Sequence, residues 1–298
     1  MTAQTSIAAP IGLRRRLVEY YELCKPRVVM LIVFTAIIGM FLAVPGLPPL
    51  DRLLWGTLGI TLQAAAAAAV NQLIDRNIDA RMARTCGRPL VTGTLSVAES
   101  VVFAAAIGSL GFAVLYLWVN PLTAWLTLAT LIGYAGVYTL YLKRATPQNI
   151  VIGGAAGAFP PMIGWAAATG DVSAVGIALF LTIFLWTPHF WALAIERHKE
   201  YAEVDVPMLP VTHGVEYTRL QVLLYTLLLL AVSVLPFAFG MSGLIYLAGA
   251  LALGGVFLAY AVRLKWWPKP GLPMRTFGYS IIYLMLLFAL LFVDHYVR

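Results

Sequence analysis

Ala64-Ala-Ala-Ala-Ala-Ala-Val70-Asn71-Gln-Leu-Ile-Asp75-Arg-Asn-Ile-Asp79 joins an uncharged apolar run to a stripe of amide and acid groups. On an α-helix, positions four apart share one face and drift by about 40° per step. Asn71, Asp75 and Asp79 therefore form one polar stripe at the end of a helix. The helix itself, residues 53–73, is long enough for a bilayer, which needs about 20 mostly apolar residues. Acids four apart repel, and beside an apolar run they are costly unless a cation sits among them. Hard oxygen ligands suit Mg²⁺, which keeps some water and bridges to substrate phosphates. The alternative is a solvated helix end whose acids pair with Arg76 and Arg81.

Similar apolar runs recur along the chain. Of its 298 residues 61% are hydrophobic and 11% charged, where a soluble domain averages about 25% charged. So few charges cannot cover a surface facing water, so lipid must cover much of it. Nine segments have spanning length: 28–44, 53–73, 97–117, 121–140, 149–168, 174–194, 220–240, 242–262 and 276–293. Their continuous apolarity excludes a membrane barrel, which would show alternation over about ten residues per strand. The expected fold is an all-α membrane protein with nine transmembrane helices. Cys24 and Cys86 form no CxxC pair and have no metal-ligand spacing, which reads as two incidental thiols in a reducing compartment.

Charge sets the orientation, because cytoplasmic loops hold the excess of Lys and Arg. Arg14, Arg15, Arg16, Lys25 and Arg27 precede the first span; Arg76, Arg81, Arg84 and Arg88 follow the second. Lys143 and Arg144 follow the fourth, Arg197, Lys199 and Arg219 the sixth, and Arg263, Lys265, Lys269 and Arg275 the eighth. Only Arg52 and Arg298 fall on the other side. The net charge of +7 thus reflects topology and argues against a nucleic-acid partner. A cytoplasmic N-terminal segment, 1–27, precedes one transmembrane domain, 28–293, with a periplasmic C-terminus. The segment lacks signal-peptide order and is short for a mitochondrial presequence, which points to a bacterial inner membrane.

An offset of 121 residues pairs Pro26 with Pro147, Asp75 with Glu196, Arg76 with Arg197, Asp79 with Glu200, Pro89 with Pro210 and Gly93 with Gly214. The chain reads as two parallel four-helix repeats, 28–140 and 149–262, plus a ninth helix, 276–293. Ligand sites often lie between such repeats. Glu196 and Glu200 then face the first stripe, and Arg88, Lys143, Arg144 and Arg197 can cradle a diphosphate, Arg by its two-pronged fork. The expected metal set is Asn71, Asp75, Asp79 and Glu200. His189 lies in Trp186-Thr-Pro188-His189-Phe-Trp191, where Pro188 should kink the helix. A histidine in an apolar span is a functional candidate; a hydrogen-bonded structural histidine and a transient ligand contact are its other readings.

Asn71 to Asp79, with Arg81-Met-Ala-Arg84-Thr and Arg88-Pro-Leu-Val-Thr-Gly93, resembles the UbiA superfamily of intramembrane prenyltransferases. Tyr138 to Trp165, Trp186 to Ile195 and Val206 to Val211 are similar to its heme-farnesylating branch. The resemblance implies farnesyl diphosphate as donor, heme B as acceptor and substrate, and heme O as product. It also implies a heme A synthase or a terminal oxidase as recipient. One departure is visible: Glu200-Tyr201 stands where the family usually has Asp-Tyr. The longer arm leaves open whether position 200 ligates metal directly or acts through Arg197 or Lys199. Two rivals remain. A related prenyltransferase acting on another ring is disfavoured by the block 146–165. A secondary transporter is disfavoured because the acids gather at one membrane face rather than at its midplane.

Overall fold

The computed structural model describes residues 12–298, so the first eleven residues of the expected segment 1–27 lie outside it. The described elements are helices, with no strand among the described residues. They are α1 (Leu13–Leu23), α2 (Pro26–Leu42), α3 (Leu50–Asp79), α4 (Pro89–Thr92) and α5 (Val97–Trp118). Then follow α6 (Pro121–Ala145), α7 (Asn149–Thr169) and α8 (Ala174–Glu196). The short α9 (His198–Glu203) and α10 (Leu209–Thr212) precede α11 (Gly214–Ala238), α12 (Leu244–Trp266) and α13 (Leu272–Val297).

Eight of these helices are long and apolar enough to cross a membrane by themselves. The first expected span is different. α2 has 17 residues and reaches spanning length only together with α1, from which it is bent by 54°. α1 carries Arg14, Arg15 and Arg16 beside exposed Leu13, Leu17 and Tyr21. That pattern suits a helix lying along the membrane surface, with apolar side chains in lipid and basic ones in water. α3 continues to Asp79, beyond the expected end at 73, and α11 begins at 214 rather than 220. Hydropathy stops where charge begins, but the backbone ladder continues through the polar turns.

Three spans are irregular. α8 breaks at 185–187 and restarts with Pro188, where a kink was expected. α7 breaks at Phe159, before Pro160 and Pro161, which cannot donate backbone hydrogen bonds. α6 widens into a π-helix over Gly133–Leu142. Such widened turns are rare and frequent at functional sites.

The 121-residue offset recurs in the backbone. α6 and α12 end at equivalent positions, Ala145 and Trp266. α4 and α10 are four-residue helices within one residue of that offset, and Gly93 and Gly214 near their ends both have left-handed backbone, at φ 74° and φ 82°. The halves share cores. Ile78 and Met82 pack with Ile150, Trp191, Tyr201, Val206 and Leu264. α2 meets α7 at near-backbone contact: a methyl at Gly164 would lie 1.9 Å from the Ala36 carbonyl oxygen, and one at Gly39 2.1 Å from that of Pro161. Small residues of this kind let membrane helices approach closely.

Candidate active site

The stripe opens inward. Asn71, Asp75 and Asp79 are each at most 4% exposed, although they stand at the helix end where solvation was the alternative. Each meets a cation from another element. Lys143 Nζ lies 2.7 Å from Asp75 Oδ2. Arg88 Nη1 donates to Asp79 Oδ2, and Lys25 Nζ donates to Asn71 Oδ1. The Asn71 amide donates to Asp75 Oδ2 at 2.9 Å and to Thr139 Oγ1 at 3.0 Å. Arg76 and Arg81 instead donate to backbone carbonyls, those of Leu73 and Glu203. Buried acids without cations would be strongly penalised, so these pairings hold the stripe in place.

The π-helical stretch of α6 explains part of this convergence. Thr139 Oγ1 donates to the Tyr134 carbonyl, five residues back, at 2.8 Å and receives Asn71 on its other side. Lys143, four residues on, reaches Asp75. Tyr134 and Tyr138 stack at 5.6 Å and 17° on the same stretch.

The second acidic pair is arranged otherwise than expected. The helix is interrupted at Arg197 (φ −105°, ψ 20°), so Glu196 and Glu200 lie on separate helices and the one-face rule does not relate them. Glu196 is exposed and makes no ion pair among the described residues, as is Arg144. Glu200 pairs with Arg197 at 2.5 Å. Beside it Tyr201 is buried, which pushes its hydroxyl above the usual tyrosine range; Arg84, from the first half, is hydrogen-bonded to it and opposes the shift. Arg81 donates to the Glu203 carbonyl, so the loop after α3 touches the loop after α8.

Among the described residues no three acidic, histidine or cysteine side chains converge tightly enough to hold a metal ion. Asn71, Asp75, Asp79 and Glu200 are thus not a preassembled cage, because each carboxylate is drawn to its own cation. The donor set nevertheless fits a hard cation. Asp75 Oδ1 is a buried carboxylate oxygen with no hydrogen-bond partner. Such an oxygen is costly to leave bare, and Mg²⁺ favours oxygen ligands of this kind.

His189 is buried in a sandwich of rings, with Trp186 at 3.9 Å and Phe277 at 4.4 Å. Its Nδ1 lies 2.7 Å from Ser280 Oγ, whose own proton goes to the Phe277 carbonyl at 2.6 Å. The imidazole Nδ1–H is therefore the donor, and it ties α8 to α13. Sequence reading left out Lys25, Thr139, Tyr134 and Tyr138 as site residues. For Lys25 a signal existed: a residue before proline is biased away from helical backbone, so Lys25-Pro26 marks a break that can turn its side chain inward. For the others none did, because a π-helical register has no signature in the apolar run.

An all-helical fold with eight spanning-length helices and a buried acid–amide stripe facing a ring of cations defines an intramembrane prenyltransferase scaffold. The UbiA prenyltransferase family matches residues 32–291, and the chain belongs to that family. It is 60% identical over 284 residues to the protoheme IX farnesyltransferase of Nitrosospira multiformis, covering 95% of both chains. It is 60% identical over 280 residues to that of Marinobacter nauticus, covering 94% of this chain and 93% of the relative. In fold it is similar to a digeranylgeranylglyceryl phosphate synthase, at TM-score 0.80 and 18% identity over 95% of this chain and 100% of the other. It is also similar to a UbiA homolog from Archaeoglobus fulgidus bound to GPP and Mg²⁺, at TM-score 0.68 and 20% identity over 92% and 99%.

Proposed function

We propose that this multi-pass membrane enzyme transfers the farnesyl group of farnesyl diphosphate to a vinyl group of heme B, with addition of water, making heme O. The observation that carries the reaction class is the buried Asn71–Asp75–Asp79 stripe met by Lys25, Arg88 and Lys143. The acceptor rests on relatives at 60% identity that share the name protoheme IX farnesyltransferase.

Asp75 and Asp79 would hold Mg²⁺, with Asn71 beside them. Bound there, Mg²⁺ supplies positive charge that makes the diphosphate a better leaving group. Lys25, Arg88 and Lys143 bind and orient the diphosphate and neutralise charge that grows as the allylic C–O bond breaks. The electron pair leaves with the diphosphate oxygen. The π electrons of the heme vinyl group then form the new C–C bond, water adds to the resulting cation, and a proton is lost. In this reading the ring faces of Tyr134 and Tyr138, stacked on the same stretch of α6, favour the allylic cation. The apolar spans exclude stray water until bond formation.

In this reading Arg197 and Glu200 act as a unit, with Glu200 positioning the guanidinium rather than ligating metal. His189 orients α13 against α8 beside the acceptor. The N-terminus is cytoplasmic and the C-terminus periplasmic in a bacterial inner membrane, and the product passes to a heme A synthase or a terminal oxidase. The test is purified protein with Mg²⁺, farnesyl diphosphate and heme B, with products separated by mass. Heme O is expected. Prenylation of a quinone precursor with heme B left unchanged would overturn the proposal.

A further inference from the structure

Lys25 reaches the site from an improbable backbone. It caps α2 with φ 50° and ψ 61°, one of two non-glycine residues of positive φ among the described residues. A side chain in that region is strained and persists only where its surroundings over-determine it. What holds it is found on α3, one residue from the stripe. Gln72 is 2% exposed, and its amide donates to the Glu22 carbonyl at 3.1 Å and the Leu23 carbonyl at 3.0 Å. These are the last two carbonyls of α1, and that of Glu22 also accepts the Lys25 N–H at 3.1 Å. Two carbonyl acceptors also settle which end of the Gln72 amide faces them.

Other contacts hold α1 only farther back. Tyr20 lies 4.7 Å from Phe103, Thr94 donates to Glu19 at 3.1 Å, and Arg16 pairs with Glu99, all on or beside α5. Leu23 is fully buried against Ala69 and Leu95. At the bend itself, the polar link from α1 to the site helix is the Gln72 amide.

We propose that Gln72 is a positioning residue: its amide fixes the α1–α2 bend and thereby holds the Lys25 ammonium over Asn71. Adjacent residues of α3 then serve two ends of one device. Asn71 receives the ammonium, and Gln72, turned about 100° around the helix, clamps the backbone that delivers it. A surface helix lying in the lipid interface is in this way coupled to a substrate cation. The proposal rests on the reading that Lys25 meets the diphosphate.

The test uses native Cys24, half-buried at the bend, in a Cys86→Ser background where it is the one thiol. Gln72→Leu should raise the rate of Cys24 alkylation by N-ethylmaleimide by about tenfold. It should raise KM for farnesyl diphosphate by about tenfold with kcat within about threefold, and add nothing to the KM of Lys25→Met, since two changes acting through one contact are not additive. Should Gln72→Leu fail to insert, Gln72→Met carries the same test. Unchanged alkylation, or a KM effect fully additive with that of Lys25→Met, overturns the proposal while leaving Lys25 in the site. An unchanged KM in Lys25→Met alone overturns the underlying reading instead.

Discussion

Asp75 sits 3% exposed with one oxygen shared between Lys143 and Asn71 and the other without a partner. Asp75→Asn keeps the shape but removes the charge. We expect it, and Asp79→Asn, to abolish heme O formation in protein that still inserts and folds, since losing a metal ligand removes several kcal/mol of barrier lowering. Near-normal turnover of both at saturating Mg²⁺ would make the stripe structural. Glu200 carries a different expectation, because it spends one oxygen on Arg197. Glu200→Gln should raise KM for farnesyl diphosphate and leave kcat nearly intact. An unchanged KM with a rate reduced more than about a hundredfold, roughly 2.7 kcal/mol, would mean that Glu200 acts on the transition state directly.

Among the elements, the contact of α2 with α7 is the tightest constraint. A side chain at Gly164 meets the Ala36 backbone, which cannot rotate away as a side-chain tip could. Gly164→Leu should therefore separate the two helices and lower thermal stability in detergent, an overpacking cost of about 1–3 kcal/mol or more. The readout is the temperature at which the purified protein loses its monodisperse gel-filtration peak. Gly255→Leu is the control, because a methyl at Gly255 meets nothing within 4 Å. An equal loss in both variants would remove the special status of the contact. Helix ends were less legible than helix centres: α3 and α11 run past their apolar windows because a polar turn still closes its backbone hydrogen bonds. The break at 185–187 was foreseeable from Pro188, and the π-helix of α6 was not, since it depends on what Thr139 and Lys143 find on α3.

For the whole molecule, the one-sided Lys and Arg distribution combined with nine spans predicts termini on opposite faces. Reporter fusions should give a cytoplasmic N-terminus and a periplasmic C-terminus; both on one face would break the count at the α1–α2 pair, the one span assembled from two pieces. Fold class and the Asn71–Asp75–Asp79 stripe were legible from residues alone, because a bilayer imposes length and apolarity on each segment independently. Gly93 and Gly214, paired by the 121-residue offset, both have left-handed backbone. Which cation meets which acid was decided only by the tertiary structure. Lys25, Arg88 and Lys143 come from three elements far apart in sequence, and nothing local separates them from Arg76, Arg81 and Arg144. Burial selects them, since a buried acid must find a charge partner while a loop cation facing water need find none.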